Sequence, residues 1–214
     1  LDTSKETARY TNFEAVQLNN IAAASASFDQ DMSLLAGIDT VTIVAQDSTD
    51  GNADATMSSA LSKVANGTTV AIESLSTAED GHKFTASATI THADDTASDD
   101  ISFVLGRSTA GSGANATDAT NAKVFLSLKA ANAETVTVTS QGGTNLLGKL
   151  DSADMTSLTL LGGKALEIHD IANATKLATV GASGMTAAFT MTGSNASTTA
   201  GTYTGTAKAD TLLG

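Results

Sequence analysis

The densest group of residues that could do chemistry is a set of four aspartates in one short segment. Asp94, Asp95, Asp99 and Asp100 place four carboxylates within seven positions, between two strand-like runs at 84–90 and 101–105. Carboxylates this close repel one another unless a cation lies between them, and carboxylate oxygens are preferred ligands of Ca²⁺. We therefore expect calcium at these four aspartates. The alternative is a solvated hairpin loop whose charge keeps neighbouring sheet edges from aggregating.

A second acidic segment surrounds a glycine. Asp47, Asp50 and Asp54, together with Asn52, supply oxygen atoms on both sides of Gly51. The segment lacks the spacing and the distal glutamate of an EF-hand loop. Two interpretations follow: a calcium loop, or a polar turn that caps a helix beginning near Asp54.

The C-terminal segment, residues 205–214, resembles one copy of the calcium-binding nonapeptide repeat of RTX proteins. In the pattern G-G-x-G-x-D-x-U-x, glycines permit tight turns, the aspartate offers an oxygen to Ca²⁺ and the apolar residue U points into a parallel β core. Gly205, Asp210 and Leu212 match the pattern, whereas Thr206 and Lys208 replace two of the glycines. The resemblance implies that Asp210 is a calcium ligand, that a following repeat completes its site, and that the chain is a segment of a longer protein.

Other metal and catalytic sites find little support. His82, His92 and His169 have none of the spacings that zinc motifs use, and we expect them to be ordinary surface residues. The chain has no nucleophile elbow and no phosphate-binding loop.

An enzymatic alternative is a parallel β-helix that acts on uronate polysaccharides. Such a groove needs clustered acid and base residues, cationic groups for the sugar carboxylates, and usually aromatic platforms. With two Tyr, no Trp and 11 Lys and Arg, this chain has few residues from which to build one. We therefore expect no enzyme activity.

The charge balance restricts the partners. The formal net charge is −12 and the pI is about 4.4, so phosphate-bearing nucleic acids and anionic membranes are repelled while divalent cations are attracted. No apolar run approaches the roughly 18 residues that a membrane-spanning helix needs. We expect neither nucleic-acid binding nor membrane insertion.

The elements that must position these groups are mainly strands. The chain has no Pro, which suits long strand ladders that use every backbone N–H, and no Cys, which removes disulfides. Short alternations of apolar and polar residues predict strands at 13–18, 41–44, 69–72, 84–90, 101–105, 124–128, 135–138, 158–161 and 166–168. Residues 53–65 predict a short helix, because Met57, Leu61 and Val64 recur at helical spacing. A weaker helical pattern covers 25–35.

The strand spacing predicts a mainly all-β chain with three parts. From Thr135 onward, apolar pairs such as Val136/Val138 and Leu158/Leu160 recur every 12 to 22 residues, which predicts stacked rungs of an irregular β-solenoid. Residues 46–132 break this rhythm and predict an inserted block with a helix and its own small antiparallel sheet. We therefore expect N-terminal β rungs in 1–45, the inserted block in 46–132, and solenoid rungs in 133–214 that run into the RTX-like repeat.

Three segments share the pattern of a known family: an acidic strand at 98–105, a strand of the form A-E-T-V-x-V at 133–138, and the rung at 177–185 ahead of the calcium repeat. With these segments the chain resembles RTX-type bacterial surface-layer (S-layer) proteins. The resemblance implies a secreted, calcium-dependent lattice subunit at the cell surface. It self-associates through the whole protein and attaches to surface polysaccharide through other regions. The alternative within this class is an RTX adhesin whose block 46–132 contacts another cell.

Overall fold

The structure is a computed structural model, and it describes residues 13–22, 25–35, 37–47, 55–74, 84–106, 124–193 and 201–212. Its strands are β1 Ala15–Ala22, β2 Ser25–Asp31, β3 Thr40–Asp47, β4 Ala55–Val64, β5 Thr69–Ser74, β6 Phe84–His92, β7 Asp100–Leu105, β8 Val124–Ala131, β9 Thr135–Ser140, β10 Asn145–Leu147, β11 Lys149–Asp151, β12 Ser157–Gly162, β13 Leu166–Ile168, β14 Ile171–Ala172, β15 Thr179–Met185, β16 Phe189–Met191, β17 Thr202–Thr204 and β18 Thr211–Leu212. One 3₁₀ turn, Met32–Leu34, follows β2.

The strands form three sheets, and every pair recorded among the described strands is parallel. The first sheet has eight strands in the order β1-β3-β5-β7-β9-β12-β15-β17, the second has the order β14-β11-β8-β6-β4-β2, and the third has β10-β13-β16-β18. Up to β8 the chain alternates between the first and second sheets, and from β9 it also passes through the third. Each circuit, called a coil below, stacks on the one before it. The architecture is all-β and β-solenoid-like.

The core runs the length of this stack. The parallel register places apolar residues of successive strands side by side. The successive partners in the first sheet are Val41, Val70, Phe103, Val138 and Leu160. All five are 0 % exposed. In β7 and β9 every second residue is buried, because successive side chains of a strand point to opposite faces. Residues from all three sheets belong to one hydrophobic cluster.

The predicted rungs after Thr135 are confirmed as stacked strands. Val136 pairs with Leu158, Leu158 with Val180, and Val180 with Tyr203. Phe189 stacks instead on Leu166 in the third sheet.

The helix predicted at 53–65 is wrong, because residues 55–64 form β4. Met57, Ser59 and Leu61 are buried with the period of two that a strand requires. The register then shifts between Leu61 and Val64, where Lys63 has a φ of 54°. This irregularity turns Val64 inward and so imitates helical spacing. The weaker helical pattern at 25–35 is likewise β2 followed by the 3₁₀ turn.

The antiparallel sheet predicted for the block 46–132 is also wrong. β4, β6 and β8 pair in parallel within the second sheet, and β5 and β7 pair in parallel within the first. At its two ends the block continues the flanking coils, since β3 pairs with β5 and β8 with β11. Alternating patterns are the same in parallel and antiparallel strands, so the sequence did not distinguish them.

Candidate functional site: an acidic corner of the solenoid

The four central aspartates lie where the chain passes from the second sheet to the first. The segment 93–99 joins β6 to β7, which belong to different sheets, so it is not a hairpin loop. Asp99, the residue before β7, stacks on Glu134, the residue before β9 in the next coil. The carbonyl of Asp99 accepts hydrogen bonds from the backbone N–H groups of Glu134 (3.0 Å) and Thr135 (3.1 Å). The carbonyl of Glu134 accepts from Thr156 (2.8 Å) in the same way.

Asp99 is a structural member of this corner. The residue is 2 % exposed, and its carboxylate accepts hydrogen bonds from the backbone N–H (2.8 Å) and the hydroxyl (2.5 Å) of Thr96. Its own N–H donates to Glu134 Oε2 at 2.8 Å. Hydrogen bonds from the Thr96 hydroxyl and N–H hold the pKa of Asp99 below its usual range. The carboxylate is therefore ionised and fixes the turn.

The other three carboxylates are placed differently. Asp94 and Asp95 are exposed. Asp100 opens β7, and its backbone N–H donates to Asn66 Oδ1 at 2.6 Å. Among the described residues no three His, Asp or Glu side chains are grouped so that they could hold a metal ion. Calcium at this corner stays a prediction.

A lysine from a later coil faces the same corner. Lys176 Nζ contacts Asp154 Oδ1 at 2.6 Å. The hydrogen bond and the charge of Asp154 raise the pKa of Lys176, and the charges of Glu134 and Asp95 add to the effect. The pair is solvent-exposed, so solvent screening leaves it little effect on stability. It shows that acidic groups from several coils act on one edge of the stack.

Sequence reasoning missed His92. The residue is 6 % exposed, so the expectation of an ordinary surface residue is wrong. Its Nε2 lies 3.1 Å from the carbonyl oxygen of Asp100, and its Nδ1 is buried with no hydrogen-bond partner. The signal was present in β6, where Ala86, Ala88 and Ile90 are buried at every second position and His92 continues the series. Of the other two, His169 Nε2 contacts Glu167 Oε1 at 2.8 Å, and His82 lies outside the described residues.

Asp210 lies far along the chain from this corner, and its carboxylate accepts hydrogen bonds from other backbone N–H groups. Its Oδ1 accepts hydrogen bonds from the N–H of Phe189 (2.8 Å) and the hydroxyl of Thr206 (2.8 Å), and its Oδ2 accepts from the N–H of Thr206 (2.6 Å). These bonds, led by that from Phe189, lower the pKa of Asp210. The carboxylate links the last coil to β16, and its role as a calcium ligand remains a prediction.

The remaining predicted loop is not described in full. Asp47 is the last residue of β3, and Asp50 and Asp54 lie outside the described residues. In the part of the chain that the structure covers, no helix is long and apolar enough to cross a membrane. No protein-family model matches this chain, and neither does a curated protein or a solved structure.

Proposed function

We propose that this chain is a structural segment of a secreted, calcium-stabilised bacterial surface layer, in which it serves as a stiff element of the lattice subunit. The observation that carries the proposal is the first sheet, eight strands in one parallel ladder over a shared core. In such a stack each coil is supported by its neighbours. The proposal includes no catalysis, and attachment to surface polysaccharide is assigned to other regions of the protein.

The two ends of the stack support self-association. Among the described strands, β1 and β17 are the edges of the first sheet, and an edge strand can offer backbone N–H and C=O groups to further β structure. Among the described residues the exposed large hydrophobic side chains are Phe13, Tyr203 and Leu212. Phe13 precedes β1, and the other two lie in the last two strands. The surfaces suited to contact with further β structure are therefore the end coils.

Calcium enters the proposal as a bridge between chains. No three described carboxylates or histidines are grouped so that they could hold a metal ion within one chain, while the net charge of −12 opposes close approach of two copies. Calcium shared between acidic surfaces of neighbouring subunits removes this repulsion. Asp95 and Asp100 at the acidic corner are suited to this role, because their side chains are at least partly exposed.

Sedimentation velocity, light scattering and negative-stain microscopy, each in calcium and in excess EGTA, test the proposal. We expect particles larger than the monomer in calcium, joined through their end coils, that dissociate in EGTA because calcium no longer offsets the repulsion between acidic chains. Tyr203→Lys together with Leu212→Lys places charge on the last coil while the long stems still cover the core, and should abolish this growth. Thr179→Lys adds a charge at an exposed position within the sheet and is the control. Monomers in both conditions, or growth unaffected by the end variants, would reject the proposal.

A further inference from the structure

The turn between β4 and β5 carries the one Asn-Gly pair of the sequence, Asn66-Gly67. The turn is closed by the N–H and the hydroxyl of Thr68, which donate to the Ala65 carbonyl at 3.3 and 2.8 Å. Asn66 and Gly67 are both exposed, so water reaches them. In an Asn-Gly pair the glycine nitrogen can attack the side-chain carboxamide of the asparagine, because glycine has no Cβ to hinder the approach. The turn therefore holds both reactants of an intramolecular reaction.

That reaction is a deamidation, and its only co-reactant is water. The Gly67 nitrogen loses its proton to hydroxide and forms a bond to Cγ of Asn66, while the Cγ–Nδ2 bond breaks and ammonia leaves. The succinimide ring that results adds one water at either of its carbonyl groups. One opening gives aspartate at position 66, and the other gives isoaspartate, in which the main chain runs through Cγ.

In the folded chain both reactants are held by the next coil. The Asp100 N–H donates to Asn66 Oδ1 at 2.6 Å, and Asn66 Nδ2 donates to the Ser98 carbonyl at 3.2 Å. The Gly67 N–H donates to the Asp100 carbonyl at 3.1 Å, and a carbonyl oxygen is too weak a base to take its proton. Ring closure needs a rotated carboxamide and a deprotonated Gly67 nitrogen, so these three hydrogen bonds must break first.

Neither product can restore these contacts. Aspartate places a carboxylate oxygen where Nδ2 donated to the Ser98 carbonyl, so two acceptors face each other. Isoaspartate adds a methylene to the main chain inside the turn that Thr68 closes onto Ala65. Both products also add a negative charge close to Asp100. Conversion is therefore a one-way change of the acidic corner.

We propose that Asn66 is a deamidation site controlled by the acidic corner: the closed corner protects the carboxamide, and detachment of the turn from segment 98–100 exposes it to irreversible conversion. Chains whose corner has opened are then marked by an added charge and by a turn that does not close again. The inference concerns this turn alone and does not depend on the proposed lattice role.

Peptide mapping by mass spectrometry, at one mildly alkaline pH, measures conversion of Asn66 in native buffer and in denaturing urea. Since only the detached turn reacts, the rate in native buffer should be at least tenfold lower than in urea. Gly67→Ala should slow the reaction in urea, because the added Cβ hinders the attacking nitrogen. Converted chains, isolated by ion exchange on their added charge, should exchange the Gly67 N–H faster in native buffer than unmodified chains do.

Thr96→Val tests whether the corner controls the reaction. It removes the hydroxyl bond to Asp99 within segment 98–100. Conversion in native buffer should become about threefold to tenfold faster, the factor for loss of one ordinary hydrogen bond, with no change in urea. Thr89→Val, the same change at a half-buried outward position of β6, should alter the rate less than twofold. The proposal is overturned if the wild-type rates in native buffer and urea are equal, if Asn66 is not converted in urea, or if the two valine variants behave alike in native buffer.

Discussion

Gly162 is a position where one added methyl group should damage the stack directly. It pairs with Ser140 of the preceding coil and has a φ of +112°, a backbone conformation that residues with a Cβ rarely adopt. A Cβ at this site would lie 2.1 Å from the carbonyl oxygen and 2.8 Å from the nitrogen of Ser140. Backbone atoms of a paired strand cannot rotate away as a side chain can, so Gly162→Ala must displace the junction of β9 and β12.

The cost can be estimated from the groups that move. A residue forced into a sparsely populated backbone region costs about 1–3 kcal/mol. Displacement of Ser140 also loosens its hydroxyl contacts to the Ala165 carbonyl (3.1 Å) and to Asn145 Nδ2 (2.8 Å), each worth about 0.5–1.5 kcal/mol. We therefore expect Gly162→Ala to lower the free energy of unfolding by about 3 kcal/mol.

The matched control is Gly181→Ala in the adjacent strand β15. A Cβ at Gly181 meets no atom within 4 Å, and the substitution reduces the freedom of the unfolded chain, so it should be neutral or stabilising by up to about 1 kcal/mol. Urea unfolding followed by circular dichroism measures both variants, and hydrogen exchange locates the change to β9 and β12, since coils can open separately. Equal unfolding midpoints for the two variants would refute the reasoning.

Three further predictions concern side chains. Thr96 lowers the pKa of Asp99, so the stabilisation of the folded state by this carboxylate is complete above about pH 4 and is lost as the pH falls through the folded-state pKa. The difference in urea midpoint between the wild type and Asp99→Asn should therefore shrink only in acid, and a constant difference would contradict this. Asn145→Ala removes a buried Nδ2 that donates to the carbonyls of Gln141 and Gly143, both at 3.0 Å. It should lower the free energy of unfolding, measured by urea titration, by about 1–3 kcal/mol, whereas Thr144→Ala at an exposed position should have little effect. Phe103→Ala empties a fully buried site and should cost about 3–5 kcal/mol, whereas the outward Ser102→Ala should stay within about 0.5 kcal/mol; similar thermal melts for these two would show that the core is not continuous there.

The strands themselves were predictable because β burial has a short period. Val136 and Val138, like Leu158 and Leu160, are buried at the alternating positions from which they were predicted. Pairing direction was not predictable, since it depends on partners such as Ser102 and Thr137, which are 35 positions apart. The helix was wrongly predicted at 53–65 because of a register shift at Lys63, which no local sequence pattern indicates.

The site was predictable only in composition. The spacing indicated Asp94, Asp95, Asp99 and Asp100, but it could not show that both carboxylate oxygens of Asp99 accept hydrogen bonds from Thr96. Nor could it show that an inward histidine stands beside them. A hydrogen-bond partner depends on how the chain turns between two sheets, and that turn is held by carbonyl contacts to the next coil.

The unusual rhythm of the middle block is explained by coil length rather than by a separate fold. Thr137, Thr159 and Gly181 are register partners at intervals of 22 residues, whereas Thr40, Thr69 and Ser102 follow at 29 and 33. Segments 48–54, 75–83 and 107–123, which lie outside the described residues, all fall between a strand of the first sheet and one of the second. Chain added there leaves the ladder of the first sheet and the acidic corner in register. Since a longer connection between paired elements costs little stability, coils of different lengths can share one stack.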